Sequence, residues 1–111
     1  MEIFFHTNNL RKVCSEANVM QKELGQPCAK KLKQRMMELK SATVLSDISH
    51  LPPTRLHEHI GSSKGTFSVD LQHPFRLLFI PADVPTPFKP DGGIDLAAVK
   101  SVEIIAISDP H

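Results

Sequence analysis

Apolar residues change their spacing once along this chain. In the first half Leu10, Val13, Cys14, Ala17 and Leu24 recur at helical intervals, with Arg11, Lys12, Glu16 and Lys22 on the other side. This predicts an amphipathic helix ending near Leu24. Thr7, Asn8 and Asn9 supply oxygens for the free amides at its start. Gly25 suits the left-handed conformation that closes a helix, and Pro27 suits the first turn of the next. A second helix follows, its stripe formed by Leu32, Met36, Leu39 and the Val44/Leu45/Ile48 group, and Pro52-Pro53 stops it. Lys30, Lys31, Lys33 and Arg35 lie mostly off that stripe. Ahead of both helices, residues 2–6 (Glu-Ile-Phe-Phe-His) read as a first strand.

After the paired prolines the period becomes two. Residues 64–70 set Phe67 and Val69 against Thr66, Ser68 and Asp70, and residues 75–80 set Phe75, Leu77 and Phe79 against Arg76, Leu78 and Ile80. The connection between these runs is short, so they pair antiparallel. Residues 81–100, rich in proline and glycine, read as a long mobile loop with a brief turn at Leu96 to Val99. A last strand runs from Ser101 to Ile107. The expected fold is α+β: a small, mainly antiparallel β-sheet packed on an N-terminal helical pair.

Length and composition narrow the class. A chain of 111 residues, 41% hydrophobic and 23% charged, fits a single domain over 1–111 with one core and no room for a second. No apolar run approaches the roughly 20 residues of a membrane-spanning helix, and the N-terminus lacks the features of a secretory signal. Two cysteines, Cys14 and Cys28, in helical segments are expected to be buried thiols rather than a disulfide scaffold, consistent with a reducing cytoplasm. Net charge is only +1, but residues 11–40 carry eight Lys/Arg against three acids, a local +5, and the remainder carries −4. A basic half can serve a polyanion or an acidic protein, but charge asymmetry alone favours the plainer reading, a solvated helix face.

Six histidines with no tyrosine or tryptophan is an unusual allocation. Histidine exchanges protons near neutral pH. Strand parity places Arg76 on the face away from the helices. If alternation continues from Val102, Ile104 and Ala106 to the end of the chain, Asp109 and His111 fall on that face too. His57 enters the sheet from its edge. A guanidinium, an acid and two imidazoles around one groove suit phosphodiester chemistry. A base deprotonates the attacking hydroxyl, a cation stabilises the charged oxygens, and an acid protonates the leaving oxygen. RNA brings its own 2′-hydroxyl nucleophile, so no metal or other cofactor is required. Two plainer readings stand beside this one. Arg76 forms a structural ion pair with Glu103 or Asp70, or His57 and His59 bind zinc with His111 or Asp109.

The C-terminal half also resembles a known family. The stretch Arg55-Leu56-His57-Glu58-His59-Ile60-Gly61-Ser62-Ser63-Lys64-Gly65-Thr66-Phe67-Ser68-Val69 is similar to a pattern in the HigB-type ("proteic killer") toxins of the RelE superfamily. In those proteins Leu-His/Glu is followed by Gly-x-x-x-Gly, an aromatic residue, Ser and an apolar residue. Phe75-Arg76-Leu77-Leu78-Phe79 resembles the family's Trp/Phe-Arg strand, and Val102 through Asp109-Pro110-His111 resembles its terminal strand and Asp-Tyr-His ending. Residues 55–80 and 101–111 carry the likeness, about a third of the chain.

The resemblance implies the toxin of a type II toxin–antitoxin system of the kind that maintains plasmids. Such a toxin is a cytoplasmic, ribosome-dependent and metal-independent endoribonuclease that cleaves mRNA. It is held inactive by a cognate antitoxin, commonly a helix-turn-helix DNA-binding protein. Carried over by position, His57, Arg76, Asp109 and His111 are its catalytic residues. Lys30, Lys31, Lys33, Arg35 and Lys64 would contact RNA. Three departures stand out: Pro110 replaces the family tyrosine, Ile60 stands where lysine is common, and the 81–100 loop exceeds the family's usual turn. They motivate an alternative, a catalytically weak or inactive RNA- or protein-binding module on the same scaffold.

Overall fold

The computed structural model describes residues 1–61 and 65–108. In chain order these form strand β1 (Glu2–Phe5), helices α1 (Asn8–Ser15), α2 (Ala17–Leu24) and α3 (Gln26–Ser41), and a 3-10 turn (Leu45–Asp47). Strands β2 (His57–Glu58), β3 (Phe67–Asp70), β4 (Arg76–Pro81) and β5 (Ser101–Ser108) follow. The sheet order is β1-β5-β4-β3-β2. Only the β1–β5 pair is parallel; the other pairs are antiparallel. The fold is α+β, with the helices preceding most of the sheet, as the change of period predicts.

The helical half departs from expectation in two places. Thr7 caps α1, its hydroxyl accepting from the Leu10 amide at 3.1 Å. The helix then breaks at Glu16, whose backbone is extended (φ −109°, ψ 114°), so the expected pair of helices is three. Ser15 and Asn18, which compete for nearby backbone hydrogen bonds, flank the break. Gly25, at φ 77°, separates α2 from α3. Helix α3 buries Cys28, Ala29, Leu32, Arg35, Met36 and Leu39 and ends at Ser41, seven residues short of Ile48. Beyond it the Asp47 carboxylate accepts from the amides of Thr43 (3.0 Å) and Val44 (3.2 Å), closing the 3-10 turn. Leu45 and Ile48 still reach the core, but from this turn. The Met1 ammonium donates to the carbonyls of Leu39, Lys40 and Ala42, a cation at the negative end of the α3 dipole.

Leu32, Leu39 and Leu45 pack with Phe67, Val69, Leu77, Phe79, Val102 and Ile104 from the sheet. The Phe67 and Phe79 rings stack at 6.0 Å between centroids. Cys14 and Cys28 are free and buried, as expected, and burial pushes the Cys14 thiol pKa up to about 11.

The β4–β5 register contains a bulge. Leu78 pairs with Ala106, whereas Phe79 pairs with Ile104, leaving Ile105 as the extra residue. Val102 and Ile104 point to the helices as parity predicts. Beyond Ile105 the parity reverses: Ile107 pairs with Leu77 and packs on the core, and Ala106 joins the opposite face.

The 81–100 segment is tied down along its length. Phe88 and Ile94 form a bridge, Leu45 donates to the Val99 carbonyl at 3.0 Å, and the turn near Leu96 is present. The Asp83 carboxylate accepts from the amides of Lys100 (3.0 Å) and Ser101 (2.8 Å) and from the Ser101 hydroxyl. Burial alone would raise the Asp83 pKa; these hydrogen bonds outweigh it and hold the carboxyl below its ordinary value. Among the described residues, no helix is long and apolar enough to cross a membrane.

Candidate functional site

The sheet face away from the helices carries the chemistry-bearing residues. Directly paired residues of an antiparallel sheet point the same way. Phe67 with Phe79 and Val69 with Leu77 face the helices, so Ser68 with Leu78 and Asp70 with Arg76 lie on the opposite face, where Ser68 is itself buried. His57 pairs with Ser68 and joins that outward set. At the other margin Arg76 pairs with Ser108, the last described residue. His57 and Arg76 therefore share one face, although β2 and β4 lie on either side of β3.

The neighbouring histidine has the more perturbed surroundings. His59 and His57 lie with ring centroids 5.6 Å apart. The His59 Nε2 atom is buried, with no hydrogen-bond partner among the described residues. Burial lowers the His59 pKa, and the charges of His57 and Arg76 lower it further. The imidazole is accordingly biased to its neutral form near pH 7, the state that accepts a proton.

Arg76 has its plainer partner as well. Its Nε lies 3.9 Å from one oxygen of Asp70, and Arg55 Nε lies 3.4 Å from the other. One carboxylate thus stands between two guanidinium groups. Glu103, the other acid weighed for Arg76, pairs instead with His6 at 3.3 Å. Arg55 has φ 51°, the only non-glycine residue described with positive φ. Beside these groups a concavity of about 120 Å³ is lined by Arg55, Asp70, Leu71, His73, Phe75 and Arg76.

The backbone here is held from below. Arg35 Nε donates to the Asp70 carbonyl at 2.8 Å and Arg35 Nη1 to Glu38 at 3.0 Å. The Thr54 hydroxyl donates to Glu38 at 2.9 Å, and the Asp70 amide to the Thr54 carbonyl at 2.8 Å. Arg35 is only 2% exposed. Its expected role as an RNA contact is therefore corrected: its guanidinium braces the chain under Asp70, with its hydrogen bonds directed inward. Lys30 and Lys33 are exposed and Lys31 half-buried. Lys30 and Lys31 line a cleft of about 330 Å³ between α3 and Pro53.

Three further expected residues, Lys64, Asp109 and His111, lie outside the described residues, as does Pro110. The parity count that put Asp109 and His111 beside Arg76 assumed unbroken alternation, and the bulge at Ile105 removes that premise. Among the described residues, no group of three or more His, Cys, Asp or Glu side chains is placed to hold a metal ion. Sequence reasoning did not single out Arg55 as a site residue. Its signal, a positive φ, exists only in three dimensions. No family profile matches this chain, and no curated protein matches it either.

Proposed function

We propose that this protein is a HigB-type toxin of the RelE superfamily, a ribosome-dependent endoribonuclease that cleaves mRNA through attack of the RNA's own 2′-hydroxyl. The observation that carries the reading is that Arg76 shares one sheet face with His57, whose ring lies 5.6 Å from that of His59. The motif resemblance in residues 55–80 and 101–111 adds the family.

In this reading a neutral imidazole takes the 2′-hydroxyl proton as the oxygen attacks the adjacent phosphorus. Arg76 stabilises the charge gathering on the non-bridging oxygens. A protonated group then delivers a proton to the departing 5′-oxygen, leaving a 2′,3′-cyclic phosphate and a 5′-hydroxyl. His57 is exposed and can reach a strand laid on this face, whereas His59, with its Nε2 buried, is the neighbouring ring 5.6 Å away. Asp109 and His111, which the resemblance also assigns to catalysis, follow Ser108 in sequence. Lys30, Lys31 and Lys33 add attraction for phosphates along α3. Partners in this reading are the ribosome, mRNA and a cognate antitoxin, and the protein acts in the cytoplasm.

The test is primer extension on a defined mRNA in a reconstituted translation mix, comparing wild type with Arg76→Ala. Discrete wild-type cuts that require ribosomes and disappear in the variant are the expected result. A folded wild-type protein that makes no cuts would instead favour the binding module, with Pro110 and the Asp70 carboxylate between the arginines as the features that favour it.

A further inference from the structure

We propose that Arg55 and Arg76 together form a phosphate-binding clamp on the RNA strand, and that Asp70 occupies it as an internal stand-in for the phosphate. The proposal rests on the RNA-directed reading above and assigns a new residue, Arg55, and a restraint, Asp70, to the same site.

Four observations converge. First, the two guanidinium groups approach different oxygens of one carboxylate, at 3.4 and 3.9 Å, as two arginines straddle the oxygens of a phosphate. Second, Arg55 holds φ 51°, a conformation that a side chain with a Cβ disfavours and that concentrates at functional sites. Third, the concavity of about 120 Å³ beside the pair is far smaller than the roughly 300–1,000 Å³ of a small-molecule pocket, and suits one oxyanion group rather than a whole nucleotide. Fourth, the Asp70 main chain is fixed on both sides of its Cα, its amide by the Thr54 carbonyl and its carbonyl by buried Arg35. The carboxylate is thereby presented to the arginines by a rigid strand.

The two ion pairs are long, and their arginines are 53% and 42% exposed. Contacts of this kind contribute little stability and exchange readily. A phosphodiester carried in by a polyanion therefore competes with Asp70 for the clamp. The carboxylate weakens binding of isolated strands, so that productive engagement depends on additional contacts elsewhere on the RNA.

The experiment measures binding apart from cleavage. A fluorescein-labelled eight-nucleotide oligodeoxynucleotide, which lacks the 2′-hydroxyl and cannot be cut by this route, is titrated by anisotropy at fixed salt. Asp70→Asn should bind about 5- to 10-fold tighter than wild type, and Arg55→Ala about 5-fold more weakly. In the double variant the Asp70→Asn gain should shrink to about 2-fold or less, because the clamp it releases is incomplete. Glu23→Gln, removing an exposed carboxylate on α2, reports the general effect of one charge. An Asp70→Asn gain no larger than that of Glu23→Gln, or one fully retained without Arg55, would overturn the clamp. Circular dichroism confirms that each variant is folded. If Asp70 fails to fold as Asn, Asp70→Ser supplies the same comparison. Cleavage missing from translation mixes while these shifts persist would count against the nuclease and leave the clamp standing.

Discussion

At the scale of single residues, the outward face is defined by what surrounds each side chain. His59 is in no obvious way different from His57 in sequence, yet its ring nitrogen is buried beside another imidazole and a guanidinium. Its folded pKa lies below the ordinary 6.5, so the unfolded chain binds more protons than the folded one between those two values. The His59 contribution is complete above about pH 6.5 and is lost as pH falls through the unfolded value towards the folded one. Urea midpoints at pH 7.5 and 5.5 should therefore drop further for wild type than for His59→Gln. Equal drops would mean that another group governs acid sensitivity. Arg35 teaches the complementary lesson. It sits in a run of cations that looks like one basic face, but, three residues after Leu32 and four before Leu39, it falls on their buried side of α3, while Lys30 and Lys33 stay exposed.

Among elements, the contact between α3 and the end of β3 decides whether the site is formed. Arg35 joins the Asp70 carbonyl to Glu38, and Glu38 joins Thr54, whose carbonyl receives the Asp70 amide. Replacing Arg35 with Met keeps much of its bulk but strands the Asp70 carbonyl and takes the charged partner from Glu38, whose oxygens keep only Gln34 Nε2 (3.2 Å) and the Thr54 hydroxyl (2.9 Å). Loss of these charge-assisted bonds should cost about 2–3 kcal/mol in urea unfolding. A cost under about 0.5 kcal/mol would show that the brace is dispensable. The β5 bulge is the second decision at this scale. A single unpaired residue, Ile105, lets Ile104 and Ile107 both reach the core, which strict alternation forbids. It also changes which residues near the end of the chain can be assigned to the outward face, a consequence invisible to a parity count.

Across the whole molecule, the division of charge gives the RNA reading a quantitative form. Exposed Lys30 and Lys33 and half-buried Lys31 lie on the helix whose Arg35 holds the Asp70 end of β3. If all three lysines neutralise phosphates of a single strand, changing them together to Gln should reduce the slope of log affinity against log salt by about 2. An unchanged slope would assign these lysines to the solvated face that any soluble helix presents.

How much of this was written in the chain varies with the range of the interaction responsible. The Thr7 cap, the Gly25 boundary, the apolar stripe of α3 and the alternation of β3 and β4 come from neighbours a few residues apart. The sequence by itself therefore determined an α+β fold, its main elements and the outward direction of Arg76. Tertiary structure decided what depends on residues distant along the chain. The stripe from Leu39 to Ile48 reads as one helix because burial is visible in a sequence, but the Asp47 turn that redirects the backbone is not. Arg55, Asp70 and Arg76 are brought together by strand register, and Arg35 is turned to them by helix packing. Local patterning sets which face of an element is apolar; only the assembled sheet decides which charges meet on the other face, because Coulombic and hydrogen-bonding partners are chosen by distance in space.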